Sequence, residues 1–215
     1  MRISTDALLF DMDGTLISSM ESVLRCWNAW AQEYGIPEDT WAGVQLHGRT
    51  AREIIADLLP ADQVDQAVAR IAELEIADVS PEGITVLPGT LDLLTSLPDE
   101  SWAVVTSASH RLAEARLQAV GIRTPLCIGA EDVQRGKPDP QPFLVAAEKL
   151  GIDPARCTVF EDAPVGLASG RAAGMTTVAL TTTHRSDELD ADVTVQDLSH
   201  VRAEEAGQGV ELTVG

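Results

Sequence analysis

Lysine is nearly missing from this chain: 215 residues contain only Lys137 and Lys149. Arginine does not make up the deficit, and 15 basic side chains face 34 acidic ones, a formal net charge of −19. Phosphate backbones and anionic lipids require a basic footprint, so this balance excludes nucleic acid and membrane surfaces as partners. A small phosphate can still bind where a local cation reverses the sign. Long apolar runs are also missing. None approaches the ~18 residues of a membrane-spanning helix, and no basic segment precedes an apolar run with a cleavage site. A cytoplasmic protein is expected. The cysteines, Cys26, Cys127 and Cys157, are odd in number and show no metal spacing, so they read as buried free thiols. Repeats and low-complexity segments are absent. At 45% hydrophobic, the length suits one core domain with room for a smaller insertion.

What is present begins with Ala7-Leu8-Leu9-Phe10, an apolar run too short for a helix that reads as a buried strand. Asp11-Met12-Asp13-Gly14 then turns the chain. Two carboxylates sit where a strand stops. Asp-Gly is ordinary turn chemistry, so this stretch alone leaves a turn-forming role open. Met20, Val23, Leu24, Trp27, Ala31 and Tyr34 follow at helical spacing up to Gly35, with Trp27 and Trp30 read as packing residues. Thr50-Ala51-Arg52-Glu53 is a capping-box pattern opening a helix with Ile54, Ile55, Leu58 and Leu59 on its apolar face. Another helix is expected over 62–79, with Val64, Val68 and Ile71 on one side. From 17 to 86 the pattern is helical, without a strand.

Beyond Leu87-Pro88-Gly89-Thr90, strands and helices alternate. Strands are expected at 103–105, 126–128, 158–160, 177–180 and 192–195, with helices at 110–120, 140–150 and 164–173. Short loops between them imply a parallel sheet covered on both faces. The fold class is therefore α/β, a Rossmann-like parallel sheet core (1–16 and 87–215) with an inserted all-α helical-bundle cap (17–86). The alternating Val210, Leu212 and Val214 fit an edge strand or a loose tail equally.

In such sheets ligands bind beyond the carboxyl ends of the strands. Four stretches reach that rim: Asp11 and Asp13; Thr106-Ser107-Ala108-Ser109; Gly136-Lys137-Pro138-Asp139-Pro140; and Phe160-Glu161-Asp162-Ala163-Pro164. Ser109, Asp139 and Asp162 could each merely cap a helix. Glu161 has no such local task. Hydroxyls and free N–H groups at a helix start also make an anion site. Four carboxylates on one rim repel, each close pair by about 4 kcal/mol at ~4 Å and an effective dielectric of 20. Lys137 alone does not offset that. A hard divalent cation with oxygen ligands does, most naturally Mg²⁺, and it attracts phosphate as well.

The stretches DMDGTL, VVTS, GKPDP and FEDAPVG, in this order, resemble the four motifs of the haloacid dehalogenase superfamily, and the resemblance spans essentially the whole chain. The helical insert is similar to the small cap of the branch that includes β-phosphoglucomutase and the sugar- and glycerol-phosphate phosphatases. The resemblance implies Asp11 as the nucleophile that becomes an aspartyl phosphate, and Asp13 as the acid and then the base. It implies Thr106, Ser107 (by its backbone) and Lys137 on the phosphoryl oxygens, and Lys137 as neutraliser of the nucleophile. It implies Mg²⁺ on Asp11, the Asp13 carbonyl and Asp162, with Glu161 adjacent.

Within the superfamily, dehalogenases lack the second aspartate, which is present here as Asp13. Phosphonatases form a Schiff base through a cap lysine, and 17–86 contains none. The mutases carry a histidine near the position of Val23, where none stands. The expected function is a Mg-dependent phosphatase of small phosphorylated metabolites, a sugar phosphate or polyol or glycerol phosphate. A phosphosugar mutase and a catalytically silent phosphate-binding relative are the alternatives. Leu46-His47-Gly48-Arg49-Thr50-Ala51-Arg52 resembles the family's specificity segment, and His47, Gly48, Arg49 and Arg52 are its candidate substrate residues. His110, His184 and His200 read as surface. The partner is a small-molecule phosphate ester, and the protein is expected to be a monomer or homodimer.

Overall fold

The computed structural model describes residues 1–46, 48–81, 83–206 and 209–215. Its centre is β2 (Ala7–Phe10), fully buried and flanked on both sides by parallel strands. The chain leaves β2 toward β5 (Trp102–Val105) and β6 (Cys127–Ile128). It then crosses back to β7 (Cys157–Glu161), β8 (Thr176–Leu180) and β9 (Val193–Val195). The resulting order, β6-β5-β2-β7-β8-β9, is parallel throughout. Its order reverses at β2, where sheets of this kind leave a crevice at the strands' carboxyl ends.

Side chains alternate across the sheet, as strand geometry requires. Leu8, Phe10, Val104, Phe160 and Val178 enter one apolar cluster. Ala7, Leu9, Ala103, Val105 and Val159 enter the other, under Phe143 and Ala147 of α7 (Gln141–Leu150). Phe10 stacks on Phe160 with ring centroids 4.8 Å apart. Two more helices cover the sheet, α6 (His110–Ala119) and α8 (Pro164–Ala172). Ser109 does cap α6, accepting Leu112 N–H at 3.3 Å. Asp139 Oδ1 accepts Gln141 N–H at 2.9 Å at the start of α7.

Residues 17–86 form a separate helical block. It contains α1 (Met20–Glu33), the single turn α2 (Glu38–Trp41), α3 (Ala51–Leu58) and α4 (Ala61–Asp78). The capping box of Thr50 and Glu53 is formed in both directions. An apolar cluster of its own holds the block together, centred on Trp27, Trp30, Ile54, Ile55 and Ile71. Trp30 is fully buried and its Nε1 donates to the Ala67 carbonyl at 3.0 Å. Leu24, expected on the apolar face of α1, is exposed.

The block is not free of strands. β3 (Ile17–Ser18) pairs antiparallel with β4 (Thr85–Val86), tying its two ends together. Two residues per strand are too few to leave a periodic signature in the sequence. After β4 the chain enters α5 (Thr90–Thr95) through Gly89 at φ +81°, where a Cβ would lie 2.1 Å from the Ser199 nitrogen.

The C-terminal segment is neither an edge strand nor a loose tail. β11 (Gly209–Val214) is the middle strand of a second, antiparallel sheet, between β1 (Arg2–Thr5) and β10 (Val201–Ala206). Val210, Leu212 and Val214 are buried in the same cluster as Phe10, which explains the alternation. Cys26 and Cys157 are buried free thiols, and Cys127 is free and half-buried. Among the described residues, no helix is long and apolar enough to cross a membrane.

Candidate active site

One step past β2, the parallel register sets Asp11 level with Glu161, and Asp11 N–H donates to the Phe160 carbonyl at 3.0 Å. Asp11, Glu161 and Asp162 each offer a carboxylate oxygen within 4.8 Å of the others, and all three are buried. Lys137 reaches them from the loop before α7. Its Nζ donates to Asp11 Oδ1 at 2.7 Å, to Glu161 Oε1 at 2.6 Å and to the Val105 carbonyl at 2.9 Å. The Lys137–Pro138 peptide bond is cis.

Each carboxylate has a distinct environment. The second Glu161 oxygen accepts the N–H groups of Asp162 and Ala163, both at 3.1 Å. With Lys137 on the first oxygen, Glu161 is well occupied and acts foremost as the anchor of Lys137. Asp162 does not cap α8. Its carboxylate accepts from Thr15 Oγ1 at 3.3 Å and from Thr183 Oγ1, which places it over the turn after β2. Gly14, at φ +96°, makes room, because a Cβ there would lie 2.3 Å from Asp162 Oδ2.

Burial pushes the Asp11 carboxyl well above its ordinary value. Lys137 opposes that rise, while Glu161 and Asp162 add to it. Burial and the Glu161 charge push Asp162 up to about 7. Burial pulls the Lys137 ammonium down from its ordinary value, but Asp11 and Glu161 more than reverse this and hold it charged. One ammonium among three carboxylates leaves an uncompensated negative charge in a region shielded from water. Such a cluster either takes up protons or binds a cation. Hard oxygen donors at this spacing fit a small divalent cation.

The residues expected to contact substrate divide. Thr106, at the end of β5, is buried beside the cluster, and its Oγ1 accepts Ala108 N–H at 3.1 Å. The Ser107 hydroxyl donates to the Gly48 carbonyl at 2.8 Å, so that side chain links the two blocks and only its backbone is left for an anion. Gly48 takes φ +73° with Val165 packed where a Cβ would go. Arg49 and Arg52 line the cavity, but their guanidinium groups pair with Asp57 and Asp65, each at 2.6 Å, and Arg52 is 62% exposed. His47 lies outside the described residues. His110 and His200 are exposed. His184 is half-buried, with Nδ1 3.0 Å from the Asp162 carbonyl oxygen, behind the acidic cluster rather than on the cavity lining.

The cavity between sheet and helical block measures about 470 Å³. Trp27, Val23 and Ile71 supply an apolar side, so Trp27 serves both packing and cavity. Asp13 lies at the cavity's floor with its carboxylate turned away from the acidic cluster, toward Ser19 and Arg116. As a metal-ligand candidate it therefore retains only its backbone carbonyl, because its side-chain oxygens are taken. Sequence reading missed Arg116 and Glu75. Both had left a signal: each occupies a position on an otherwise apolar helical stripe, Leu112-Ala113-Leu117 in α6 and Val64-Ala67-Ile71 in α4. A charge on such a stripe requires a buried partner.

Residues 5–174 match the haloacid dehalogenase-like hydrolases. Hexitol phosphatase A of Escherichia coli is 40% identical over 190 residues, covering 85% of this chain and 87% of that protein. The validoxylamine A 7'-phosphate phosphatase of Streptomyces hygroscopicus is 37% identical over 202 residues, covering 90% and 94%. In structure, a hydrolase from Pseudomonas syringae superposes with a TM-score of 0.81 at 26% identity, covering 90% of this chain and 94% of that one. With the buried acidic cluster, its single lysine and the sheet that presents them, these likenesses establish that the chain belongs to the haloacid dehalogenase-like hydrolase family.

Proposed function

We propose that this protein is a Mg²⁺-dependent phosphatase of small phosphorylated sugars or polyols, acting in the cytoplasm through an aspartyl-phosphate intermediate, with 17–86 as a cap over a core of 1–16 and 87–215. The observation that carries the reading is Lys137 Nζ held between Asp11 and Glu161 at 2.7 and 2.6 Å, beside Asp162, where Asp11 lines the cavity. Phosphatase-named relatives such as hexitol phosphatase A supply the substrate class.

The chemistry follows from the residues. A carboxylate oxygen of Asp11 attacks phosphorus, and the bond to the alcohol oxygen breaks. The Asp13 carboxyl gives that oxygen its proton. Water then attacks the phosphorus of the aspartyl phosphate, losing a proton to the Asp13 carboxylate. The bond to Asp11 breaks, and phosphate leaves with the nucleophile restored. Lys137 offsets charge on Asp11 and on the phosphoryl oxygens, which Thr106 and the Ser107 N–H orient. Asp11, Asp162 and the Asp13 carbonyl would hold Mg²⁺, which supplies charge neutralisation at the phosphoryl group. Glu161 anchors Lys137. The cap excludes bulk water. Its apolar wall of Trp27, Val23 and Ile71 admits a small carbon chain, while Gly48, Arg49 and Arg52 line the cavity and, with His47 in sequence, make up the specificity segment.

Hydrolysis of p-nitrophenyl phosphate with and without EDTA, followed by a panel of phosphorylated sugars and polyols ranked by kcat/KM, tests this. Metal-dependent turnover with a preference for polyol or sugar monophosphates is expected. Activity unaffected by chelation, or no ester hydrolysed, overturns it.

A further inference from the structure

Arg116 is 3% exposed and projects from α6, a helix that otherwise buries Leu112, Ala113 and Leu117. Its Nη1 donates to Asp13 Oδ2 at 2.8 Å and its Nη2 to Glu75 Oε1 at 3.1 Å. Glu75, 7% exposed, belongs to α4 of the helical block. Ser19 Oγ donates to the other Asp13 oxygen at 2.5 Å. One guanidinium thus joins three segments: the turn that follows β2, the core helix α6 and the cap helix α4. All of them border the cavity.

Stability does not account for this arrangement. Buried ion pairs seldom outperform apolar residues of equal volume, because desolvation offsets their attraction. Arg116 also keeps a buried Nε without a partner among the described residues, a further cost. What a planar fork provides is geometry: two acceptors held at a fixed angle and distance. Burial works against the Arg116 charge, but Asp13 and Glu75 hold it firmly protonated, so the fork is permanent. Reorienting Asp13 breaks its bond to Arg116, and Arg116 keeps its second bond only while α4 is seated.

We propose that Arg116 is a positioning residue that fixes the Asp13 carboxylate toward the substrate's ester oxygen and, through Glu75, makes that placement conditional on the cap being closed. The catalytic half rests on the phosphatase reading, since it presumes that Asp13 moves the proton. The mechanical half, a latch between α4 and α6, does not.

The two halves are tested separately. Small-angle scattering of the whole protein reads cap closure without any turnover. Arg116→Met and the near-isosteric Glu75→Gln should both increase the radius of gyration, and Arg116→Lys less so. Unchanged scattering in both overturns the latch. With p-nitrophenyl phosphate, Arg116→Met should lower kcat about a hundredfold, the scale of a misplaced catalytic group, with KM little changed. Glu75→Gln should lower kcat about tenfold, and the double variant should be no worse than Arg116→Met alone, because both break one chain of contacts. Multiplying effects in the double variant, or a raised KM with unchanged kcat, overturns the positioning role; the latter makes Arg116 a substrate contact instead. Should Arg116→Met fail to fold, Glu75→Gln and Arg116→Lys decide by the same readouts. Should the wild-type protein hydrolyse no ester, the phosphatase reading and the Asp13 role fall together, and scattering still decides the latch.

Discussion

Two ionic clusters border the same cavity, and they differ in charge balance and in origin. Asp11, Glu161, Asp162 and Lys137 all belong to the core and sit at the carboxyl ends of the strands, with three carboxylates against one ammonium. Asp13, Arg116 and Glu75 bridge core and helical block, with two carboxylates against one guanidinium. The first has charge left over and calls for a cation from outside. The second has the smaller surplus, one negative charge, and its guanidinium bonds both of its carboxylates, one in each block. Position on a helix or strand does not separate a chemical cluster from a mechanical one here. The size of the charge surplus, two negative charges against one, does.

Removing a member of the first cluster should therefore affect chemistry far more than architecture. Asp11→Asn should cost about four powers of ten or more in kcat, as loss of a nucleophile does elsewhere. The metal-free protein should nonetheless melt no lower, since one buried charge has been removed; near-wild-type turnover would remove Asp11 from the nucleophile's role. Lys137→Ala should cost about 3 kcal/mol in kcat/KM, roughly two powers of ten. Unlike Asp11→Asn it should also lower Tm, because it strands Asp11 and Glu161 without their cation. Equal Tm for the two variants would erase the distinction between them.

The charge surplus also predicts a pH signature. In the metal-free fold, burial raises Asp11 and lifts Asp162 to about 7, whereas the unfolded chain titrates near ordinary carboxylate values. Their contribution to stability is thus fully present at low pH and is lost as pH rises through that window. Mg²⁺ replaces the protons. The Tm increase on adding saturating Mg²⁺ should accordingly grow between about pH 5 and pH 8. A constant increase would mean that the cluster does not hold the ion. The smallest effect belongs outside both clusters: Arg52→Ala, which breaks an ion pair 62% and 86% exposed, should change stability by less than about 1 kcal/mol. A large rise in KM for a sugar phosphate would instead move Arg52 into substrate binding.

The same contrast explains what could be read from sequence. The first cluster was legible because each of its residues lies in a short strand-to-loop stretch, and parallel strands must bring those stretches to one rim. Lys137 stood out through scarcity and Glu161 because no local task was apparent, although its second oxygen does accept the N–H groups of Asp162 and Ala163. The second cluster was not legible as a contact. Asp13 and Arg116 are 103 residues apart and Arg116 and Glu75 are 41 apart, and only the packing of α4 against α6 brings them together. In the fold, β3 and β4 left no signal because two residues carry no period. β11 showed its alternation, but its partners β1 and β10, at opposite ends of the chain, could not be inferred from spacing. The guanidinium groups of Arg49 and Arg52 pair with carboxylates of their own block, which local sequence does not reveal.

The aromatic residues have a practical consequence. Three of the four tryptophans, Trp27, Trp30 and Trp41, cluster in the helical block, and the fourth, Trp102, belongs to the sheet as the first residue of β5. Trp27 also borders the cavity. Intrinsic emission from this protein is thus weighted toward the helical block, so stopped-flow fluorimetry with an added phosphate ester would report a displacement of that block in real time without any attached dye.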